Sequence, residues 1–497
     1  MCAWTFGESW DCYATTSDAI AGYWDSGTAT SATLAAGRFA GSQALQANAG
    51  PIAYLVKSSG SNDGVHHISC AFNQTTAITG TTLRLYLQLL DGATGQCAIV
   101  FRTDGAILLT SATPGGTVLA TYANAFTAAS TWYQFEFEVV INNTTGRFRV
   151  RRNGNPVDDF DSGAVLNTRG GTANNYANRL QVGANTSGST VHNIDDLLWR
   201  SDAASVPWVG DIKCITRMPA SDVAVQFSRT PTGVVMQSVA GSGANNAIIV
   251  GGAFLQPYTC SYNGAITSIM IATYGAATGN IKGAVWADNS GAPGAVLASC
   301  PSQAMVSGNN VFTLSVPLNV TFGQKIWIGA CADTGGGSWN TNSAIMNGAS
   351  GTVGFSTFPQ ASPSVGLGNR QLGSNFVYTA ASGNWQAVAE PQQDAATSYV
   401  YDATPGNQDL YTIASIPSTP ASTIAVTTRA LMAKSDAGTR TAAVQLKSGA
   451  TTVASPTLTL TTGWQWAWRC DVTNPATGAA WTSTAVNSLQ CGPKTIA

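Results

Sequence analysis

The stretch Trp132-Tyr-Gln-Phe-Glu-Phe-Glu-Val-Val-Ile141 is followed by Asn142-Asn-Thr-Thr-Gly146 and then by Arg147-Phe-Arg-Val-Arg151. Successive strand side chains point to opposite faces. Phe135, Phe137, Val139 and Ile141 therefore share one face, and Phe148 and Val150 continue it across the turn. The outer face is charged. With Ile141 opposite Phe148, Glu138 falls opposite Arg151, a cross-strand pair worth roughly 0.2–1 kcal/mol that helps to set register. Arg152-Asn-Gly-Asn155 supplies the next turn. This is an antiparallel sheet with one buried face, and the rest of the chain repeats its grammar.

Composition agrees. The chain has 497 residues, room for about three domains of ~150 residues. Only 10% of residues are charged and 52 are glycine, as in proteins built from short strands and tight turns. A hydrophobic share of 44% with 14 tryptophans excludes disorder. A net charge of −2 without a Lys/Arg cluster leaves no field for nucleic acid. The first residues, Met1-Cys-Ala-Trp-Thr-Phe-Gly-Glu8, lack a basic segment before an apolar one, and no apolar run reaches the ~18 residues of a membrane helix. The expectation is synthesis in a cytoplasm, with no membrane partner.

Further strands are legible downstream. Gly264–Ala272, Gly279–Ala287, Asn310–Leu318 and Lys325–Ala330 alternate or are apolar, with a dense turn at Asp288–Gly294. Residues 333–383 are rich in Gly, Ser and Asn and read as long loops. Ile424–Met432 and Ala442–Leu446 are strands of a last domain, where Trp464, Trp466 and Trp468 recur at period two and share a face.

Residues that do chemistry are scarce. The three histidines are His66, His67 and His192, and no Gly-x-Ser-x-Gly elbow accompanies them. His66 and His67 are adjacent on a strand, read as a polar edge strand or turn, and point to opposite faces. Glu136 and Glu138 share a face, but the following same-face positions are Val140 and Asn142, and Arg147–Arg151 lies opposite. An ion-paired face is expected rather than a glycosidase pair. No catalytic residue and no cofactor is assigned. Asp158, Asp159, Asp161, Asp195 and Asp196 are weak calcium candidates, with strand-end capping the plainer role for the last two. The tryptophan stripe is a candidate subunit interface or glycan platform, or else core.

Ten cysteines occur, none in a Cys-x-x-Cys pair. They are either buried thiols or disulfides formed after release into an oxidising medium. Cys2, near the terminus, is the first candidate for a bond to another subunit. Cys470 and Cys491 are candidates to bridge each other. Cys12, Cys214, Cys260, Cys300 and Cys331 complete the cross-link candidates, and Cys70 and Cys97 are not among them.

Three segments, Phe6-Gly-Glu-Ser-Trp-Asp-Cys-Tyr13, Thr131-Trp-Tyr133 and His192-Asn-Ile-Asp-Asp-Leu-Leu-Trp199, resemble the concanavalin-like (laminin-G-like) jelly roll of phage structural proteins. Cys12 departs from that pattern. Asp394–Val400, Lys434–Arg440 and Asp471–Thr482 resemble a C-terminal β-sandwich of tailed-bacteriophage virion proteins. Trp208–Pro219 resembles the strand that leaves the first domain in that family, and Asn384–Asp394 its resumption. The resemblance thus implies an all-β chain of three β-sandwich or jelly-roll domains. These are a jelly roll at 1–205, a connecting strand at 206–230, an inserted sandwich at 231–383 and the phage-type sandwich at 384–497.

The function implied is that of a non-enzymatic structural protein on the exterior of a tailed-phage virion. It would be a capsid decoration, minor capsid or collar component, made in the host bacterial cytoplasm. Its partners would be major capsid, neck or tail proteins and further copies of itself. No coiled-coil, collagen-like or β-helical repeat is present to build a fibre shaft. A host-glycan adhesin or tail-fibre component is the second expectation, and a glycosidase or depolymerase the third.

Overall fold

The structure is a computed structural model. It describes residues 4–13, 15–20, 23–28, 32–47, 53–184, 191–230, 234–239, 244–248, 250–260, 264–275, 278–321, 323–334, 338–342, 348–352, 354–361, 363, 366–368, 371–372, 374–380, 383–389, 398–416 and 420–497. The chain is all-β, 54% strand and 3% helix, as its alternation demands. No helix among the described residues is long and apolar enough to cross a membrane. Two compact units form: unit 1 holds residues 1–226, 391–393 and 403–497, and unit 2 holds 227–390 and 394–402.

Unit 1 begins with a two-sheet antiparallel sandwich of jelly-roll type. The front sheet runs Phe160–Asp161, Arg147–Arg152, Trp132–Val140, Val65–Gln74, His192–Asp202, Gln43–Ala47, Ala32–Ala36, with Trp4–Glu8 also on His192–Asp202. The back sheet runs Val118–Tyr122, Ile107–Ser111, Thr94–Arg102, Leu83–Asp91, Ala177–Ala184, Ala53–Asp63, Ser26–Thr28. Between them lie Phe135, Phe137, Val139, Phe148 and Val150, all fully buried, with Ile68, Phe72, Leu87, Ile99 and Phe101.

The hairpin register differs from the expectation by two residues. Val139 opposes Phe148, so Glu138 faces Arg149 and Glu136 faces Arg151. The pairing closes at Val140–Arg147, one residue short of Ile141, whose N–H instead donates to Gly64 O. Thr168 then holds the turn, donating to Val140 O and accepting from Asn142 N. Tertiary bonds thus took Ile141 out of the ladder. The histidine strand also departs from expectation. Val65–Gln74 is a central strand paired on both sides, and all ten of its residues are buried.

The C-terminal part of unit 1 has one sheet of Pro219–Ala224, Leu410–Ile413, Gln490–Thr495, Thr441–Ser448 and Thr451–Ala454, with Leu458–Thr459 on its flank. A two-stranded ribbon, Val426–Met432 with Gln465–Asp471, packs over it. The ribbon's Trp466 belongs to the same buried cluster as the jelly-roll core, with Leu431 and Trp468 packed against it. The two parts of unit 1 therefore share one continuous core.

Unit 2 is a second two-sheet sandwich. One sheet carries Val234–Val239, Ser374–Ala380, Gly264–Tyr274 and Gly308–Val320; the other runs Ala292–Ser299, Asn280–Asn289, Lys325–Ala332, Gly252–Thr259, Gly348–Thr352 and Gly366–Gly368. Ile266, Ile269, Ile271, Ile281, Val285, Ile326 and Ile328 fill the interior. The segment expected as loops holds the strands Ser338–Asn342, Gly348–Thr352, Gly366–Gly368, Gln371–Leu372 and Ser374–Ala380. Gly and Ser weaken strand propensity, but cross-strand pairing overrides it. A ribbon of Ser228–Thr230 with Tyr399–Tyr401 joins the two ends of the unit's chain. The expected insertion edge at 231–233 lies outside the described residues, as do 381 and 382 of the other edge.

Candidate functional site

The richest polar constellation lies on the outer face of the front sheet. Alternation forces it: with Phe135, Phe137 and Val139 inward, Gln134, Glu136 and Glu138 point out. His67 and Ser69 do the same beside them, and Arg149 and Arg151 on the other side. These side chains are nevertheless buried, His67 at 0% and Glu136 at 2% exposure. The cover is the chain itself. Residues 203–218 leave the sheet and lie across this face as a strap with no regular strand of its own. The strand expected at Trp208–Pro219 is thus this strap up to Met218.

Trp208 anchors the strap. Its ring meets His67 edge-on at 4.9 Å, and the Arg149 and Arg151 guanidinium carbons lie 5.3 Å and 4.2 Å from it. Such cation–π contacts are worth ~0.5–1 kcal/mol each at partly exposed sites. Val209 N donates to Glu136 Oε1 at 2.8 Å. Arg38 grips Asp211 through both terminal nitrogens at 2.7 Å and donates to Gln134 Oε1 and Ile212 O. Cys214 N donates to Asp196 Oδ1 at 2.7 Å.

The carboxylates of this face are therefore engaged. Glu138 accepts from Arg149 Nε and Nη2 at 2.8 and 2.6 Å. Glu136 Oε1 takes Val209 N and stands 3.3 Å from His67 Nε2, without the angle of a hydrogen bond. Asp158 accepts from Arg151 and Arg149, Asp159 from Arg152 N, and Asp161 from Arg147 and Gly163 N. Asp158 and Asp161 are charge partners of arginines, whereas Asp159 takes a backbone N–H and the Asn155 amide. No group of three or more His, Cys, Asp or Glu that could hold a metal occurs among the described residues.

Asp195 and Asp196 sit in the middle of His192–Asp202 rather than at a strand end. Asp195 opposes Ala71 and Leu198 opposes Ser69, so two residues bulge against Cys70. The bulge keeps Ile194, Leu197 and Trp199 all facing inward. It also places Asp196 at φ 50°, in the left-handed region that Asp tolerates better than most residues. Asp195 accepts from Arg38 N and Ser42 Oγ. Gly37 permits this approach, since a Cβ there would stand 2.6 Å from Asp195 Oδ2. Burial pushes the Asp195 carboxyl up to about 6; burial and the Asp195 charge push Asp196 up to about 7.

The remaining histidines serve the core. His66 Nε2 donates to Asp63 O, and its Nδ1 accepts from Trp199 Nε1. Burial drops its pKa to about 4, so it stays neutral. His192 bonds Gln74 Oε1, and burial takes it to about 3.

A second constellation lies where the C-terminal ribbon meets the jelly roll. Trp466 Nε1 donates to Asp18 O, and Trp468 packs edge-on against Tyr23 and Phe6 at 5.5 and 6.2 Å. Trp464 is half-buried just before the strand. Trp466 and Trp468 are thus packed in the chain's own core rather than presented as an exposed interface or glycan platform. A buried lysine and a half-buried arginine stand among these rings. Lys57 Nζ lies 4.2 Å from the Trp468 ring centroid and 3.1 Å from Asp25 Oδ1. Arg429 lies over Tyr23 at 4.5 Å, donates to Tyr13 Oη and approaches Glu8 Oε1 at 3.7 Å. Glu8 also accepts from Trp10 N, Tyr13 Oη and Trp24 Nε1.

Sequence reading passed over Glu8, Arg38, Lys57, Trp208 and Arg429. A signal existed for three of them. Glu8 shares a strand face with Phe6, Lys57 with Leu55, and Arg429 with Leu431; a charge on an apolar face needs a buried partner.

All nine described cysteines are free thiols, and Cys2 lies outside the described residues. Cys470 pairs across its ribbon with Thr427, whereas Cys491 stands in the other sheet opposite Tyr411 and Leu446, so the expected bridge does not form. Cys12, Cys70, Cys97, Cys260, Cys300 and Cys331 are buried, and Cys214, Cys470 and Cys491 are half-buried. Burial pushes the Cys470 thiol up to about 11 and those of Cys12, Cys97, Cys260 and Cys491 to about 12. Such thiols form little thiolate and are poor cross-linkers.

No family model matches the chain. No curated protein matches it. Among solved structures, the conserved carbohydrate esterase of the Shiga toxin-encoding bacteriophage phi24B is 13% identical, with a TM-score of 0.30 over 41% of this chain and 99% of that one. The lectin from Bauhinia forficata in complex with GalNAc is 7% identical, with a TM-score of 0.26 over 40% of this chain and 99% of its own. Lectin II from Ulex europaeus is 8% identical, with a TM-score of 0.26 over 41% of this chain and all of its own.

Proposed function

We propose that the chain is a non-enzymatic structural protein on the exterior of a tailed-phage particle, a capsid decoration, minor capsid or collar component. It would be made in the host bacterial cytoplasm and seated against neighbouring virion subunits. The observation that carries this reading is the self-occupied outer face of the jelly roll. Trp208, Val209, Asp211 and Cys214 cover the polar outer surface of the front sheet. Glu136 and Glu138 are engaged within the chain, by Val209 N and Arg149, which favours an ion-paired structural face over a glycosidase pair. The tryptophans that would stack on sugars are spent on joining the ribbon to the jelly roll. The virion setting is drawn from the sequence resemblance at both ends of unit 1.

Peptide mass spectrometry and immunogold labelling of gradient-purified particles of the encoding phage test this. The protein is expected in intact particles, at their surface, in constant ratio to the major capsid protein. Its absence from particles sinks the proposal. Specific, saturable sugar binding by the purified chain on a glycan array moves it to a host-glycan adhesin.

A further inference from the structure

We propose that unit 2 pairs with unit 2 of a second copy of the chain through the free edge of strand Gly308–Val320. Among the described residues this strand has one neighbour, Gly264–Tyr274, and its other edge has none. Its inward residues Asn310, Phe312 and Leu314 are buried, while Asn309, Val311 and Thr313 are exposed, Val311 at 54%. An open strand edge is a template for another strand unless charge, proline or a bulge blunts it. Here the protection is confined to one half. Thr313 pairs with Ser268 and Leu318 with Ile266, so Leu314–Pro317 bulge out against Thr267 alone. Pro317 lies in that bulge. The half from Gly308 to Thr313 runs straight and carries neither device.

The occupant follows from charge. No charged side chain occurs between Asp288 and Lys325. A two-fold contact sets each side chain near its own mate, so any charge on the edge would repel itself. This edge has none, and antiparallel strands about a two-fold are self-complementary. A chargeless edge also offers nothing to steer a charged partner. Pairing would join two sheets of Val234–Val239, Ser374–Ala380, Gly264–Tyr274 and Gly308–Val320 into one continuous sheet. Beside the bulge, Leu297, Ser315, Val316 and Leu318 line a groove of about 310 Å³.

Analytical ultracentrifugation of the full chain over a concentration series decides it, and the result does not depend on the virion reading. A dimer is expected at high micromolar concentration. The double variant Val311→Lys, Thr313→Lys is expected to stay monomeric throughout, with an unchanged circular dichroism spectrum. The conservative pair Val311→Thr, Thr313→Val controls for disturbed folding and should keep the dimer. A wild-type chain monomeric at every concentration overturns the proposal, as does a double-lysine variant that still dimerises.

Discussion

The two units solve the same problem, holding two sheets in register, with different chemistry. In unit 1 the hairpin face carries Glu136, Glu138, Arg147, Arg149, Arg151, Asp158 and Asp161 within 26 residues, nearly all ion-paired. In unit 2 the only charged residues between Arg229 and Asp333 are Lys282, Asp288 and Lys325. Its polar ties are neutral or single: Trp286 Nε1 to Gln360 O, Trp327 Nε1 to Asp288, and Asn310 Nδ2 to Thr273 Oγ1. Charge on a sheet face specifies partners and repels copies of itself. A sheet with few charges relies on its ladder, neutral hydrogen bonds and packing, and an uncharged edge carries no repulsion against a copy of itself. The difference places the titrating Asp195–Asp196 pair in unit 1 and the proposed self-pairing edge in unit 2.

The strongest way to break this contrast is Arg429→Met. Glu8 has no exposed surface and would lose its counter-charge, and stripping one partner from a buried pair costs about 3–5 kcal/mol. Urea unfolding followed by Trp fluorescence should show a large loss in unit 1 and none in unit 2. An unchanged midpoint would mean that the aromatic cage alone holds the ribbon.

Trp208→Ala comes next, at about 2 kcal/mol for a half-buried ring that also locks the strap. Limited trypsin digestion is expected to cut faster at Lys213 or Arg217 than in the wild type. Equal cleavage rates would show that Arg38–Asp211 suffices as the anchor.

Asp196→Asn sharpens the pH argument. A carboxyl whose folded pKa lies above its unfolded value binds the proton more tightly when folded. Its contribution is full below the unfolded pKa of about 4 and is lost as pH rises through about 6–7. Wild-type unit 1 should therefore be less stable at pH 8 than at pH 5 through this pair. The substitution should raise the pH 8 melting midpoint, by on the order of 1 kcal/mol, and leave pH 5 nearly unchanged. A gain of the same size at both pH values would contradict the burial argument.

The smallest effect is expected for Arg147→Ala, which removes a partly exposed pair with Asp161. A loss of roughly 0.5 kcal/mol or less, shrinking further in high salt, follows from screening.

Much of the fold was legible because strand alternation is local. Phe135, Phe137, Val139, Phe148 and Val150 were placed on the buried face by spacing alone, and the core contains them. The two-residue register error arose because Thr168 and Gly64, distant in sequence, decide where the hairpin closes. His67 was misplaced for a related reason: an edge strand and a central strand can carry the same residues, and only the sheet order separates them. The strap was illegible since Trp208 and Asp211 resemble any loop until His67 and Arg38 are beside them. Trp466 and Trp468 share a face of their strand, as the spacing predicts, but spacing cannot say what that face meets.

The sequence by itself determined the all-β class, the inward faces of the strands and the scarcity of catalytic groups, because these depend on composition and a period of two. Only the tertiary structure decided that the polar face is covered by residues 203–218, that Trp466 and Trp468 face the chain's own N-terminal part, and that Glu8 meets Arg429. Each of these joins residues tens to hundreds of positions apart. Side-chain periodicity specifies which way a residue points, but not what the folded chain brings to meet it.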